Sequence, residues 1–210
     1  MQSTNPKSIL PTLHLIRAGL ASGMLTKEEI IAWADKIVLQ EEQPDIFFID
    51  LALLSSRSKH HLIEYFGDYL RFDSQRAQGG PLLGLLYQKY TNCTLNLEQT
   101  VAALERLCRE AVFTDTEEWF IYRIDDFEAA QANIYGSVEN IQQDVEHFLK
   151  FYQGYSLENI ENWADLKQQV ARLLEDERQL LEHEWRKQQM LADIKAASVE
   201  ADGKPWWKFW

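Results

Sequence analysis

The sequence of 210 residues contains only two cysteines and no long apolar segment. Cys93 and Cys108 form neither a disulfide framework nor a zinc-binding CxxC pair, so we expect both thiols to be reduced. We expect Cys108 to be buried, because it lies on the apolar stripe of a predicted helix. No run approaches the roughly 18 apolar residues that a membrane-spanning helix needs, and the N-terminus is a poor signal peptide. The sequence therefore predicts a soluble, cytoplasmic protein.

Basic residues are also scarce. The chain has 21 Lys and Arg against 33 Asp and Glu, which gives a formal net charge of -12. Because proteins bind nucleic-acid phosphates largely through Lys and Arg, this balance argues against a nucleic-acid partner. Apolar residues make up 46% of the chain, too many for a disordered protein, and the length suits one compact domain or two small ones. We expect the chain to fold around a true core.

The motifs of common enzymes are absent as well. The sequence contains no GxxxxGK[ST], GxGxxG, GxSxG or HExxH motif and no EF-hand loop. His60 and Glu64 lie one helical turn apart, but no third ligand is indicated, so we interpret His60, His61 and Glu64 as a solvated polar face. Asp125 and Asp126 are adjacent and would point about 100° apart on a helix, so they would not converge on a substrate. We predict no catalytic residue, no metal site and no cofactor, and an enzyme is the least favoured of three functional hypotheses.

Helix signals dominate what the sequence does contain. The apolar spacing predicts helices over about 26–40, 46–54, 59–72, 115–132 and 138–152. Thr26 and Glu29 form a capping box at the first of these, and a similar start follows 70 residues later at Asn96, which leaves an internal duplication open. Residues 46–54 are apolar nearly all round, with Pro44 suited to the first helical position, which predicts a central buried helix.

The Gly and Pro residues mark the organisation of the chain. Gln78-Gly79-Gly80-Pro81 is the strongest loop signal and our candidate boundary between two halves. From Leu157 to about Ser198 there is neither Gly nor Pro, and helix formers predominate, which predicts one very long helix or two in tandem. The predicted fold is therefore all-α, an irregular multi-helix bundle. It has a helical body over 1–155, a long C-terminal helix over 156–200 and a flexible Trp-rich tail over 201–210.

The acidic charge is concentrated in one segment. Between Glu98 and Glu146 there are twelve Asp and Glu against three Arg and no Lys, so this segment carries -9 of the net -12. Acidic and aromatic side chains interleaved in this way are typical of a surface that binds a cationic protein. The alternative is that the acid serves solubility and the aromatic residues form core. The predicted partner-binding residues are Glu117, Glu118, Trp119, Tyr122, Asp125, Asp126 and Glu128.

The C-terminal tail is the second unusual feature, since three of the seven tryptophans lie in the last five residues. Its candidate docking residues are Trp206, Trp207, Phe209 and Trp210. Such a segment is unfavourable in water, and three explanations stay open. It docks into a partner as a short peptide, it contacts a membrane interface, or it folds back on the body. The acidic body disfavours anionic lipid.

Two stretches carry a resemblance to a known group. MLTKEEIIAWADKIV and IDDFEAAQANIYGSVENIQQDVEHFL resemble uncharacterised bacterial helical proteins regarded as immunity proteins of toxin systems, over about residues 10–152. The resemblance carries over no functional residue. It implies a cytoplasmic, non-enzymatic protein that occludes the active surface of a toxin. Our first hypothesis is therefore an immunity protein that neutralises a basic toxin domain through the acidic segment, and our second is an adaptor or chaperone that works through the tail. The oligomeric state is left open.

Overall fold

The computed structural model describes residues 5–124, 127–132, 134, 136–156, 159 and 162–202, with side chains as far as residue 194. The helices are α1 Leu10–Ser22, α2 Lys27–Gln40, α3 Ile46–Leu53, α4 Lys59–Leu70, α5 Gly79–Thr91, α6 Leu97–Glu110, α7 Asp115–Ile124, α8 Phe127–Gln131, α9 Val138–Lys150 and α10 Trp163–Asp202. Short 3-10 turns lie at Pro6–Ile9 and Leu54–Ser56, and the two-residue strands β1 Ala77–Gln78 and β2 Ala111–Val112 pair in parallel. The predicted all-α class and the long C-terminal helix are confirmed. The predicted tail lies outside the described residues, apart from the end of α10.

Local capping chemistry explains where several helices begin. At α2, the Thr26 hydroxyl accepts a hydrogen bond from the Glu29 backbone at 3.2 Å, and the Glu29 carboxylate accepts one from the Thr26 backbone at 2.7 Å. Asn96 and Gln99 make the same reciprocal pair at the start of α6. Each such cap contributes about 1 kcal/mol. The two similar starts head helices of equal length, since α2 and α6 both have 14 residues.

The helix over 46–54 is buried on one face only. Phe47, Phe48 and Leu51 are buried, whereas Ile46 and Leu53 are 65% and 71% exposed. Its N-cap is Asp45, so Pro44 lies before the helix and not at its first position. The expectation of a helix buried on all sides is therefore wrong, because a helix at the edge of the bundle contacts neighbours on one side.

Gln78-Gly79-Gly80-Pro81 is not a loop. It is the junction at which β1 ends and α5 begins, with Pro81 inside the first turn, where its missing N–H does no harm. A Cβ atom on Gly79 would overlap the ring of Phe113, so packing explains that glycine. The buried residues before and after this junction belong to one hydrophobic cluster, which continues from Leu13 to Leu174.

α9 and α10 close the body over this cluster. The apolar stripe predicted for 138–152 is buried at Val145, Phe148 and Leu149, after an N-cap at Ser137 whose hydroxyl accepts from Asn140. The first half of α10 packs on the body through Val170 and Leu174. By contrast, every side chain from residue 183 to residue 194 is exposed. The second half of α10 thus buries none of its described side chains against the body.

Two predictions from the composition concern membrane-spanning helices and the burial of Cys108. None of the helices in the described ranges is both long enough and apolar enough to cross a membrane. Cys108, however, is exposed, so its expected burial is wrong. The buried face of α6 runs through Ala103, Leu104 and Leu107, and Cys108 lies at the edge of that face near the helix end.

Candidate functional site

Glu117 occupies the N-terminus of α7 and faces the interior. Its side chain is part of a capping box: its carboxylate accepts from the Thr114 backbone at 2.7 Å and from the Thr114 hydroxyl at 3.0 Å. The other carboxylate oxygen accepts from the Tyr152 hydroxyl at 2.8 Å, and Glu117 is only 8% exposed. Burial, together with the Glu117 charge, raises the pKa of Tyr152 well above its usual range. This placement removes Glu117 from the predicted partner-binding surface.

The other described residues of that prediction lie on the outer side of α7 and α8. Glu118 and Glu128 are exposed, Tyr122 is 72% exposed, and Trp119 is half-buried. Glu118 and Tyr122 are four residues apart and therefore lie on one face of the helix. Asp125 and Asp126 lie outside the described residues.

A cation already lies against this surface. The Arg123 guanidinium carbon is 5.0 Å from the centroid of the Trp119 ring, which is cation–π geometry, and an Arg123 nitrogen is 3.7 Å from an Asp144 carboxylate oxygen. The arrangement shows that this part of the surface accepts a guanidinium between an indole ring and a carboxylate. A basic side chain from another protein would be bound by the same two kinds of group, an aromatic ring and a carboxylate.

α10 forms the opposite wall of a groove beside α7. The groove has a volume of about 740 Å³ and is lined by Trp119, Arg123, Leu181, Glu182, Glu184, Trp185, Arg186 and Gln188. Trp185 is 62% exposed. Glu182 pairs with Arg186 at 3.2 Å, whereas Glu184 makes no ion pair with a described residue. We call the residues Glu118, Trp119, Tyr122, Arg123, Glu184 and Trp185 the α7–α10 face.

Sequence reasoning missed the α10 part of this face. The predicted partner-binding residues all lie between Glu117 and Glu128, and none of them belongs to the long helix. Four further large apolar residues of α10 are between 57% and 65% exposed: Leu180, Met190, Leu191 and Ile194. These four residues form an exposed apolar row more than about 100° around the helix from Trp185. Their exposure is seen only in the structure, so the sequence carried no direct signal for this part of the face.

The remaining candidate residues from the sequence are the His60–Glu64 pair and the tail. His60 and Glu64 contact each other at 3.2 Å on the exposed surface of α4. Within the described part of the chain, no group of three or more His, Cys, Asp or Glu could hold a metal ion. The tail residues Trp206, Trp207, Phe209 and Trp210 lie outside the described residues.

The α7–α10 face therefore offers aromatic rings and carboxylates to a second molecule, and its geometry suits the capture of basic and apolar side chains. No family model matches the chain, and comparisons with curated proteins and with solved structures give no match either.

Proposed function

We propose that this protein is a non-enzymatic interaction protein that binds a basic protein partner through the α7–α10 face. We further propose that the partner is a toxin domain, which the protein neutralises by covering its active surface. The observation that carries the proposal is the conjunction of exposed Tyr122 and Trp185 with Glu118 and Glu184, for which no described residue supplies an ion pair. The toxin component rests on the resemblance of residues 10–152 to immunity proteins.

Electrostatics supports a basic occupant. The segment from Glu98 to Glu146 carries a net charge of -9, and this field would raise the association rate of a cationic protein, in a manner that depends on salt. Exposed tryptophan and tyrosine supply binding energy after the encounter, with roughly 2 kcal/mol or more for a central aromatic residue. The position of Arg123 over Trp119 indicates how a partner's Arg or Lys would lie against Trp185 and Glu184.

The test uses the product of the reading frame immediately upstream, purified and mixed with this protein. Glu118→Lys with Glu184→Lys should slow association by about tenfold or more at low salt and flatten its salt dependence, because Glu184 lines the groove and Glu118 is an exposed acid on the adjoining helix α7. Asp35→Lys with Glu42→Lys is the matched control, since both residues are exposed, lie outside the face and change the net charge equally. An upstream product that is neither basic nor toxic, or association rates that respond equally to both pairs, would refute the proposal.

One alternative occupant needs a separate measurement. The exposed apolar row of α10 could instead pair with α10 of a second copy. Light scattering of the purified protein separates the two cases. A monomer that assembles only when the partner is added supports the proposal, whereas a stable dimer held through α10 contradicts it.

The adaptor hypothesis has its own structural support. α10 continues to Asp202, immediately before the Trp-rich segment, and its side chains from residue 183 to residue 194 are all exposed. A helix of this kind suits the presentation of a terminal docking peptide. Deletion of residues 204–210 should leave toxin neutralisation intact on the first hypothesis and abolish partner binding on the second.

A further inference from the structure

A second cavity lies where the two parallel strands end. β1 pairs with β2 through Ala77 with Ala111 and Gln78 with Val112. α5 follows β1 directly, and α7 begins three residues after β2. Because parallel strands place their carboxyl ends at the same edge, the N-termini of both helices meet there. The cavity between them has a volume of about 590 Å³, within the usual range for small-molecule sites.

The two helix N-termini at this cavity are not equivalent. That of α7 is occupied by its own capping box, through Thr114 and Glu117. That of α5 has no side-chain cap, because Gln78 makes no capping hydrogen bond. α5 has 13 residues, so its N-terminus carries the partial positive charge of a full helix, about half an elementary charge. The α5 end thus has no side-chain cap that would compete with an anion.

Tyr155 supplies an independent indication of a ligand. Its side chain is 2% exposed, yet its hydroxyl forms no hydrogen bond with any described residue. The Tyr155 oxygen itself is not sealed from water, so its unused hydroxyl can be reached from the cavity, whereas the Tyr152 hydroxyl is bonded to Glu117. The Tyr155 hydroxyl lines the same cavity beside α5, 3.1 Å from the position that a Cβ atom on Gly80 would take. It is an unused donor next to an uncapped helix.

The pair Gly79-Gly80 is explained by the same geometry. A Cβ atom on Gly79 would overlap Phe113, and one on Gly80 would press on Tyr155. Both neighbours line the cavity. The two rings therefore require glycine at these positions, and glycine also leaves the start of α5 without a side chain of its own beside the cavity.

Two cations and two carboxylates line the cavity, and the cations have the more unused hydrogen-bonding capacity. Arg76 donates through one terminal nitrogen to the carbonyls of Arg109 and Ala111, at 2.8 and 3.0 Å, and its other nitrogens bond to no described residue. Lys167 also lines the cavity and is exposed. The two carboxylates present are already engaged: Glu117 as described above, and Glu175 with Arg178, Gln179 and Thr116.

We propose that this cavity binds a small phosphorylated molecule. Its phosphate lies at the N-terminus of α5, where the backbone of Gly79 and Gly80 and the Tyr155 hydroxyl donate to it. Arg76 and Lys167 balance its charge, and two cations beside a helix end suit a dianion better than a carboxylate. Its apolar part contacts Pro81, Val170 and Leu174. The proposal does not depend on the docking proposal.

The experiment is a titration of isotope-labelled full-length protein with inorganic phosphate, at constant ionic strength, followed by the amide resonances of Gly79 and Gly80. We expect saturable shifts of both resonances, and a loss of affinity of about fivefold or more in Tyr155→Phe and in Lys167→Gln. Tyr155→Phe removes a hydroxyl that no described residue uses, so the fold should be retained. Tyr87→Phe is the matched control, because Tyr87 lies outside the cavity.

Three results would overturn the proposal. The first is shifts that stay linear or are absent at the glycine amides. The second is equal affinity in the wild type and Tyr155→Phe, which would indicate an adventitious ion only. The third is acetate binding more tightly than phosphate at this position, which would contradict the phosphorylated class.

Discussion

Tyr152 and Tyr155 are buried three residues apart, and their hydroxyl groups differ in one respect. The Tyr152 hydroxyl donates to Glu117 at 2.8 Å, whereas the Tyr155 hydroxyl has no partner among the described residues. Replacing each by Phe removes the same atom from neighbouring positions on the chain. The pair therefore isolates the contribution of one hydrogen bond to a buried carboxylate.

Tyr152→Phe should be the destabilising member of the pair. A hydrogen bond to a charged group contributes about 1.5–3 kcal/mol, and the substitution leaves one oxygen of a carboxylate that is 8% exposed without its donor. For a chain of this size, such a loss lowers the melting temperature by roughly 4–10 °C. Tyr155→Phe should change the free energy of unfolding by less than about 0.5 kcal/mol.

Urea denaturation at pH 7 in phosphate-free buffer measures both variants. Adding Glu117→Ala to each completes a double-mutant cycle, in which Tyr152 should show a coupling of about 0.5–3 kcal/mol with Glu117. Equal free energies of unfolding for the two Phe variants, or zero coupling between Tyr152 and Glu117, would refute the assignment of Glu117 to the interior.

Three further perturbations test other contacts. Hydrogen bonds from Arg178, Gln179 and Thr116 lower the pKa of Glu175 to about 2 from 4.5. Its contribution to stability is therefore complete above pH 4.5 and is lost as the pH falls toward 2. Glu175→Gln should flatten the dependence of stability on pH in that window, and an unchanged dependence would contradict the pairing. Gly79→Ala should lower the free energy of unfolding by about 1–3 kcal/mol through its clash with Phe113. By contrast, Gly67→Ala, within α4, should raise it by about 0.5–1 kcal/mol, because a Cβ atom there would make only an ordinary contact with Arg17, at 3.8 Å. Trp185→Ala should leave the melting temperature within about 2 °C of the wild type, because the side chain is 62% exposed, yet weaken binding of the basic partner by more than about 1 kcal/mol in calorimetry; undiminished binding would count against the α7–α10 face.

Local signals predicted the helices well. The capping box at Thr26 and the apolar stripe through Val145 and Phe148 both act within one or two helical turns, so the sequence contains all the residues that determine them. The same capping pattern at Thr114-Asp115-Thr116-Glu117 was present and was overlooked, because Glu117 was assigned to an acidic surface. Reading the pattern there would have placed its carboxylate on the backbone of Thr114.

Contacts between distant segments could not be predicted. The burial of Glu117 depends on Tyr152, 35 residues later, and the need for glycine at position 79 depends on Phe113, 34 residues later. Glycine and proline together favour a loop in general, but here a neighbouring ring selects glycine and the first helical turn tolerates Pro81. The groove beside Trp185 likewise exists only because α10 packs on α7.

α10 is packed on the body through its first half, whereas the described side chains of its second half are exposed. Its 40 residues span about 60 Å, and the part beyond Leu181 is roughly 30 Å long. A tilt of about 10° at Leu181 would move that end by roughly 5 Å, given this rise per residue. The packed half of α10 supplies one wall of the cavity at α5, through Val170, Leu174 and Glu175. The exposed half carries Trp185. One continuous helix therefore contributes both to the wall of the cavity and to the α7–α10 face.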